Sequence, residues 1–381
     1  MDRRSYLAAA GLVLAGCSGT PTDTATQSPT ETAMSTMTAT ATDTATPTDT
    51  ETPSPTSEPT PTATPEPSEV ELQLRAAIED LDAALDAFDP LNGTILDVTA
   101  TSVPFSQQEV RNALNPAQDH LDTAADEMTA ETPDELRTQH QRLTGVHWYL
   151  WWAAPAQVEI KSAAEDLLTI ETAAYAGADL EMEQSAGLFE DDIDTVQTNL
   201  EKLRRDSDPE DATAPTELTE ELYREKLNQF EAEIVDMEEL VSFFKEFLEI
   251  VTDVETAIED YEDRAYEEAS SGFYSASSSF ETQAESLNSD DYRDEFSRMI
   301  ERTICVAEAM AQGCSELDVA ATAGMNGNES KQETARENAK REFEQCDLVF
   351  EHMGFLAEFF DADSRSSLAG VLGKFSALLG S

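Results

Sequence analysis

The chain reads as an all-α protein: an antiparallel helical bundle or helical-hairpin array, built as one body or as two packed helical subdomains. Three observations predict this. Apolar residues recur at alternating steps of three and four, most clearly at Leu227, Phe230, Ile234, Met237, Val241, Phe244, Leu248 and Val251, which is the period of one helix face. Helix-start signals recur along the chain, and no proline follows Pro215. The alternation of strands and helices that marks an open α/β sheet is missing.

At the N-terminus, residues 1–16 read as an export signal. Arg3 and Arg4 precede an apolar run from about Tyr6 to Ala15, shorter than the ~20 residues that a bilayer-spanning helix needs. Leu14-Ala15-Gly16-Cys17 resembles a lipobox, and the arginine pair followed by Ser-Tyr-Leu resembles a twin-arginine signal. The resemblance implies cleavage before Cys17, a lipid on its thiol and a position on the outer face of the cell membrane.

Residues 17–68 read as a stalk. Nineteen threonines lie between Thr20 and Thr64, and nine prolines between Pro21 and Pro67. Met34 and Met37 are its only large apolar groups, so little surface is available to offset the entropy of ordering the chain. An extended spacer with polyproline-II character is expected.

The acidic balance belongs to the whole chain. Asp and Glu number 79 against 23 Lys and Arg, a formal net charge of −56. Such self-repulsion is screened in molar salt, where the Debye length is about 3 Å. Signal, stalk and composition together resemble the surface lipoproteins of extremely halophilic archaea, a likeness that names no activity. The charge excludes a basic footprint for nucleic acid.

From residue 69 the pattern turns helical, as subdomains over 69–206 and 217–381. Ser106 and Glu109 predict a capping box, with Phe105 stapled on Val110. Asn115-Pro116 predicts a kink or restart. Thr132-Pro133-Asp134-Glu135 predicts a helix start with Pro133 at its first position, and the helix should run to about Ala153. The segment Asp206–Thr216, rich in Asp and Pro, is the clearest internal boundary, with five or six helices on either side. Beyond it the stripe from Leu227 continues to Val254, Ile258 and Tyr261, as one long helix with a stammer or as two with a break near Thr252-Asp253. Ala269, Phe273 and Ala276 are similar to the second helix of a tetratricopeptide repeat, without the first-helix pattern. Ser330-Lys331-Gln332-Glu333 predicts a further start. Leu368, Val371, Leu372, Phe375, Leu378 and Leu379 form a last apolar stripe with few charges.

Most catalytic signatures are absent: no HExxH, no ExxH, no GxSxG, no phosphate loop and no EF-hand loop. No cofactor or metal is therefore expected, and a binding role for an unknown protein or small solute is expected over an enzymatic one. The alternative centres on the helix after Pro133, which carries His140, His147 and all three tryptophans, Trp148, Trp151 and Trp152. Leu136, His140, Leu143, His147 and Leu150 share one stripe, so both histidines should face a core seam, with His120 on the preceding helix near their level. These residues are a candidate ligand or metal pocket. Gly145-Val146-His147 is similar to the start of the GxHxxE motif of imelysin-like surface proteins, with Leu150 standing where that motif has its glutamate.

Beyond Cys17 there are three cysteines. Cys305 and Cys314 lie nine residues apart on opposite sides of one helix. If that helix ends near Ala323 and the next starts near Lys331, residues whose numbers sum to about 654 sit level. Cys305 and Cys346 meet that condition within a turn and form the candidate disulfide; the rival is three free thiols.

Overall fold

The structure, a computed structural model, describes residues 67–361 apart from 90–92, 103–104 and 290–291. Arg3, Arg4, Cys17, nearly all of the stalk and the stripe from Leu368 to Leu379 lie outside the described residues. The chain divides into two units, Met1–Thr64 and Pro65–Ser381, and every described residue belongs to the second.

Among the described residues every regular element is helical. The α-helices are α1 (Glu69–Phe88), α2 (Gln107–Glu127), α3 (Asp134–Tyr175), α4 (Asp179–Asp206), α5 (Glu220–Glu262), α6 (Tyr266–Ser289), α7 (Ser297–Met325), α8 (Glu329–Phe343) and α9 (Asp347–His352). A tenth, α10, occupies 354–361. Short 3-10 turns lie at Ile95–Asp97, Pro209–Thr213 and Asp294–Phe296. No described helix is long and apolar enough to cross a membrane.

Local chemistry sets the boundaries. Ser68 caps α1 through a reciprocal box with Glu71. Ser106 caps α2 by accepting from the Glu109 N–H at 3.3 Å, while Phe105 packs against Phe88 with ring centroids 4.8 Å apart. Pro133 sits one position before α3 rather than inside it. Three hairpin turns share one closure, a 6→1 backbone bond around a left-handed residue. In α3–α4, Ala178 N donates to Ala173 O at 2.9 Å around Gly177 (φ 66°). In α7–α8, Asn328 N donates to Ala323 O at 2.9 Å around Gly327 (φ 65°). In α5–α6, Ala265 N donates to Asp260 O at 2.8 Å, but the left-handed residue is Arg264 (φ 67°).

Neither interior proline ends its helix. α2 runs through Pro116, and α3 runs through Pro155 to Tyr175, well past Ala153. Each proline removes one intrahelical donor. Around Pro155 the buried Ala153, Ala154, Ala156 and Gln157 hold both halves of α3 in the core. Because 134–175 is a single helix, four α-helices precede the segment 207–219 among the described residues, where five or six are expected from the sequence. Likewise α5 continues through Thr252-Asp253 unbroken, with Phe230, Met237, Phe244, Val251 and Val254 fully buried along it.

Consecutive helices pair as α1–α2, α3–α4, α5–α6, α6–α7 and α7–α8, and the central α3 also meets α1, α2 and α5. Ala269, Phe273 and Ala276 are buried on α6. Several glycines permit close approaches, Gly145 and Gly313 the tightest among them. A side chain at Gly145 would collide with Asp211 of the 3-10 turn docked on α3, and one at Gly313 of α7 would collide with the ring of Phe343 of α8.

Candidate functional site

The histidine- and tryptophan-bearing segment lies in the first half of α3, but its histidines go separate ways. His147 is 2% exposed, edge-on to Trp148 (5.2 Å) and stacked on Trp151 (5.9 Å, 22°). Neither of its ring nitrogens has a hydrogen-bond partner. Burial pushes its pKa down from 6.5 to about 4, against a weaker opposing pull from Asp122, so the ring is neutral at pH 7. His140 is half-buried and its Nε2 lies 3.0 Å from Leu121 O. His120 turns to α1, with Nδ1 2.7 Å from Gln73 Oε1 and Nε2 3.6 Å from Asp80.

The tryptophans are half-buried. Trp152 donates to Asp206 at 3.0 Å, Arg111 lies over the Trp151 ring and Lys202 over the Trp152 ring. Leu150, at the glutamate position of the imelysin-like motif, is fully buried. Among the described residues no group of three or more His, Cys, Asp or Glu side chains could hold a metal ion. Cys305 and Cys346 form a disulfide with their Cα atoms 5.8 Å apart, and Cys314 is buried and free.

A second cluster, which the periodicity of the sequence hides, lies between α3, α5 and the connection from α1 to α2. Residues 98–102 of that connection enter the core, where Val98 and Ala100 are buried. Buried backbone polar groups need partners, and side chains supply them. Lys226 Nζ and Gln229 Nε2 donate to Val98 O, and Gln157 Nε2 donates to Thr99 O. Lys161 Nζ donates to Ser102 O, and Ala100 N donates to Glu233 Oε1 at 3.2 Å. Lys226 also donates to Gln157 Oε1 at 2.7 Å, and Gln229 donates to Glu233 at 2.9 Å.

Lys226, Gln229 and Glu233 stand at i, i+3 and i+7 on α5, hence on one face. Lys226 and Glu233 are fully buried. Burial drives the Lys226 ammonium down and the Glu233 carboxyl up, and the two charges partly hold each other against it.

Beside this cluster a cleft of about 390 Å³ opens between α3 and the start of α7, with Ala100 and Thr101 forming part of its wall. Ala164, Leu168, Phe296 and Met299 supply its apolar surface. Leu168 is 46% exposed there. Lys161, Arg298 and Arg302 line it together with Glu165 and Glu295.

Arg302 is held from behind by the buried Glu171, through Nη2–Oε2 at 2.5 Å and Nε–Oε1 at 3.2 Å. Tyr175 donates to Glu171 at 3.2 Å and lies 2.7 Å from Thr303 Oγ1. Burial raises the Glu171 carboxyl, and Arg302 opposes that rise. Glu295 pairs with Arg293 at 2.9 Å.

Comparison of the chain with protein-family models, curated proteins and solved structures finds no match.

Proposed function

We propose that this protein is a lipid-anchored, cell-surface binding module that takes a small solute in a cleft of its helical unit. The observation that supports binding is the cleft between α3 and α7: its volume of about 390 Å³ falls in the ~300–1,000 Å³ range of small-molecule sites. Its walls combine apolar side chains with a few convergent charges, the usual composition of such sites. Anchoring rests on the lipobox-like Leu14–Cys17, and display away from the membrane on the threonine- and proline-rich stalk. The acid-rich composition supports a setting of high salt.

Two measurements on the full chain test this. Cys17→Ser should release the protein into the medium or leave an uncleaved precursor; normal processing with retention in the membrane fraction refutes the anchor. Thermal unfolding in molar salt, scanned against small organic acids, amines, sugars and amino acids, should show stabilisation by at least one class. A flat response to all of them refutes the binding module.

A second reading, a cofactor- or ligand-binding domain or enzyme centred on α3, is favoured by one observation: both nitrogens of the buried His147 lack partners. An aromatic solute that seats there should quench tryptophan fluorescence, and His147→Ala should abolish the response. Unchanged quenching in that variant removes this reading.

A further inference from the structure

We propose that the cleft between α3 and α7 is a binding site for a monoanionic organic carboxylate with an apolar body, and that Arg298 is the residue that receives the carboxylate. This rests on the binding-module reading and names its ligand class.

The inference begins with charge. In a chain of net −56, this cleft is lined by three cations and two carboxylates, a local balance of one positive charge. Two of the cations are already engaged within the protein. Lys161 donates to the Ser102 carbonyl, and Arg302 is paired with Glu171 in two bonds along its Nε–Nη2 edge. Of the two carboxylates, Glu295 is paired with Arg293.

Arg298 differs from the other two cations. It lies one turn before Arg302 on α7, lines the cleft, and among the described residues has no ion pair or hydrogen bond. A guanidinium offers a planar fork of donors that matches a carboxylate in two parallel bonds.

The local balance also sets the charge of the ligand. One negative charge neutralises the site. A dianion would bring an excess charge against Glu165 and Glu295, where like charges in a partly desolvated cleft repel. The opposite wall sets the rest of the ligand. Leu168 is 46% exposed while Met299 is 7% exposed, and both line the same cleft. An apolar body laid against Leu168 would remove that surface from water, a gain of about 25 cal/mol for each Å² covered. A bare inorganic anion would leave the leucine uncovered.

The site is also built rather than incidental. Arg302 is positioned by the buried Glu171–Tyr175–Thr303 group, and the wall at Ala100 and Thr101 is fixed by the polar core beneath it. The cleft therefore exists before any ligand arrives, which lowers the ordering cost of binding.

The test is calorimetric titration of the full chain in molar potassium chloride with three matched probes: hexanoate, hexan-1-ol and hexylamine. Hexanoate should bind saturably at one site, more tightly than propanoate, while the alcohol and amine should not saturate. Arg298→Gln, a change at an exposed side chain, should weaken hexanoate at least about tenfold, the loss expected for a charged hydrogen-bonding partner. Leu168→Gln should reduce the gain from propanoate to hexanoate.

Equal binding of hexan-1-ol, or hexanoate affinity unchanged by Arg298→Gln, overturns the assignment. So does a lack of hexanoate binding in a chain that another solute class stabilises. In each of those results the wider binding-module reading survives, because it falls only if every class in the thermal scan is without effect.

Discussion

Replacing His147 with phenylalanine should make the protein more resistant to acid. The imidazole is 2% exposed and both of its nitrogens are without partners, so the fold disfavours its charged form. Its pKa is held at about 4 against an ordinary 6.5. Each pKa unit corresponds to about 1.36 kcal/mol, which makes the displacement worth about 3 kcal/mol. The sign follows from proton counts. Between pH 4 and 6.5 the unfolded chain binds a proton at this residue that the folded chain does not. Stability from this residue is complete above about pH 6.5 and is lost as pH falls toward 4.

Phenylalanine keeps the ring beside Trp148 and Trp151 and removes the titration. At pH 7 the variant should lie within about 2 kcal/mol of wild type, because relief of two unpartnered nitrogens opposes the larger ring volume. At pH 4.5 the difference should move in favour of the variant by about 2.5 kcal/mol. The carboxylates titrate alike in both chains and cancel in the comparison. Urea unfolding in molar salt at the two pH values, followed by tryptophan fluorescence and circular dichroism, measures this. A difference between variant and wild type that does not change with pH would refute the buried, unpartnered imidazole.

Three further outcomes are expected. Lys226→Met strands Gln157 Oε1 and leaves Glu233 without its opposing charge. Urea unfolding should show a loss of about 3–5 kcal/mol, partly recovered by adding Glu233→Gln; no recovery would separate the two residues. Arg264→Gly should raise stability by roughly 1 kcal/mol, since Arg264 holds φ 67° in a turn whose counterparts are Gly177 and Gly327; an unchanged urea midpoint would count against strain at that residue. Dialysis from molar salt to tens of millimolar should abolish the helical circular dichroism reversibly, because screening weakens as the Debye length grows from about 3 Å at 1 M to about 30 Å at 0.01 M; equal helicity in both would show that the acids are already compensated.

Features that depend on local period and local turns were legible in the sequence. The stripe from Phe230 to Tyr261 is buried along α5, because spacings of three and four on a helix need no tertiary knowledge to interpret. The hairpin register that sets Cys305 level with Cys346 needed only the position of the turn, and Gly327 marks that turn. Pro116 was misleading, because a proline removes one donor but tertiary packing decides whether the helix stops. The pattern around His140, His147 and the tryptophans implied one shared seam. In the fold His140 bonds to α2, His120 bonds to α1, and His147 stacks among the tryptophans with no hydrogen-bond partner.

The polar core was hidden for a different reason. Lys226, Gln229 and Glu233 flank the apolar stripe of α5, where charged residues usually meet solvent. Their burial follows from residues 98–102, more than a hundred positions earlier, whose backbone enters the core and needs those side chains. One signal was available: Lys is scarce in this chain, seven in all, and Lys226 sits inside its strongest apolar segment.

The same residues explain why the core is polar where an apolar one would be simpler. An ion pair buried in a protein is often no more stable than well-packed hydrocarbon of the same volume. Here hydrocarbon at Lys226 and Glu233 would strand the Val98 carbonyl with one partner and the Ala100 N–H with none. Each buried group left unpaired costs about 1–3 kcal/mol. The loop would be driven outward to find water, and Ala100 and Thr101 with it. Those two residues form part of the wall of the cleft. The buried charges therefore hold the cleft in shape: they fix one wall from below while Glu171 fixes Arg302 at another. A chain with so few cations places Lys161, Lys226 and Arg302 around this one loop and cleft, where carbonyl oxygens and a buried carboxylate are among their partners.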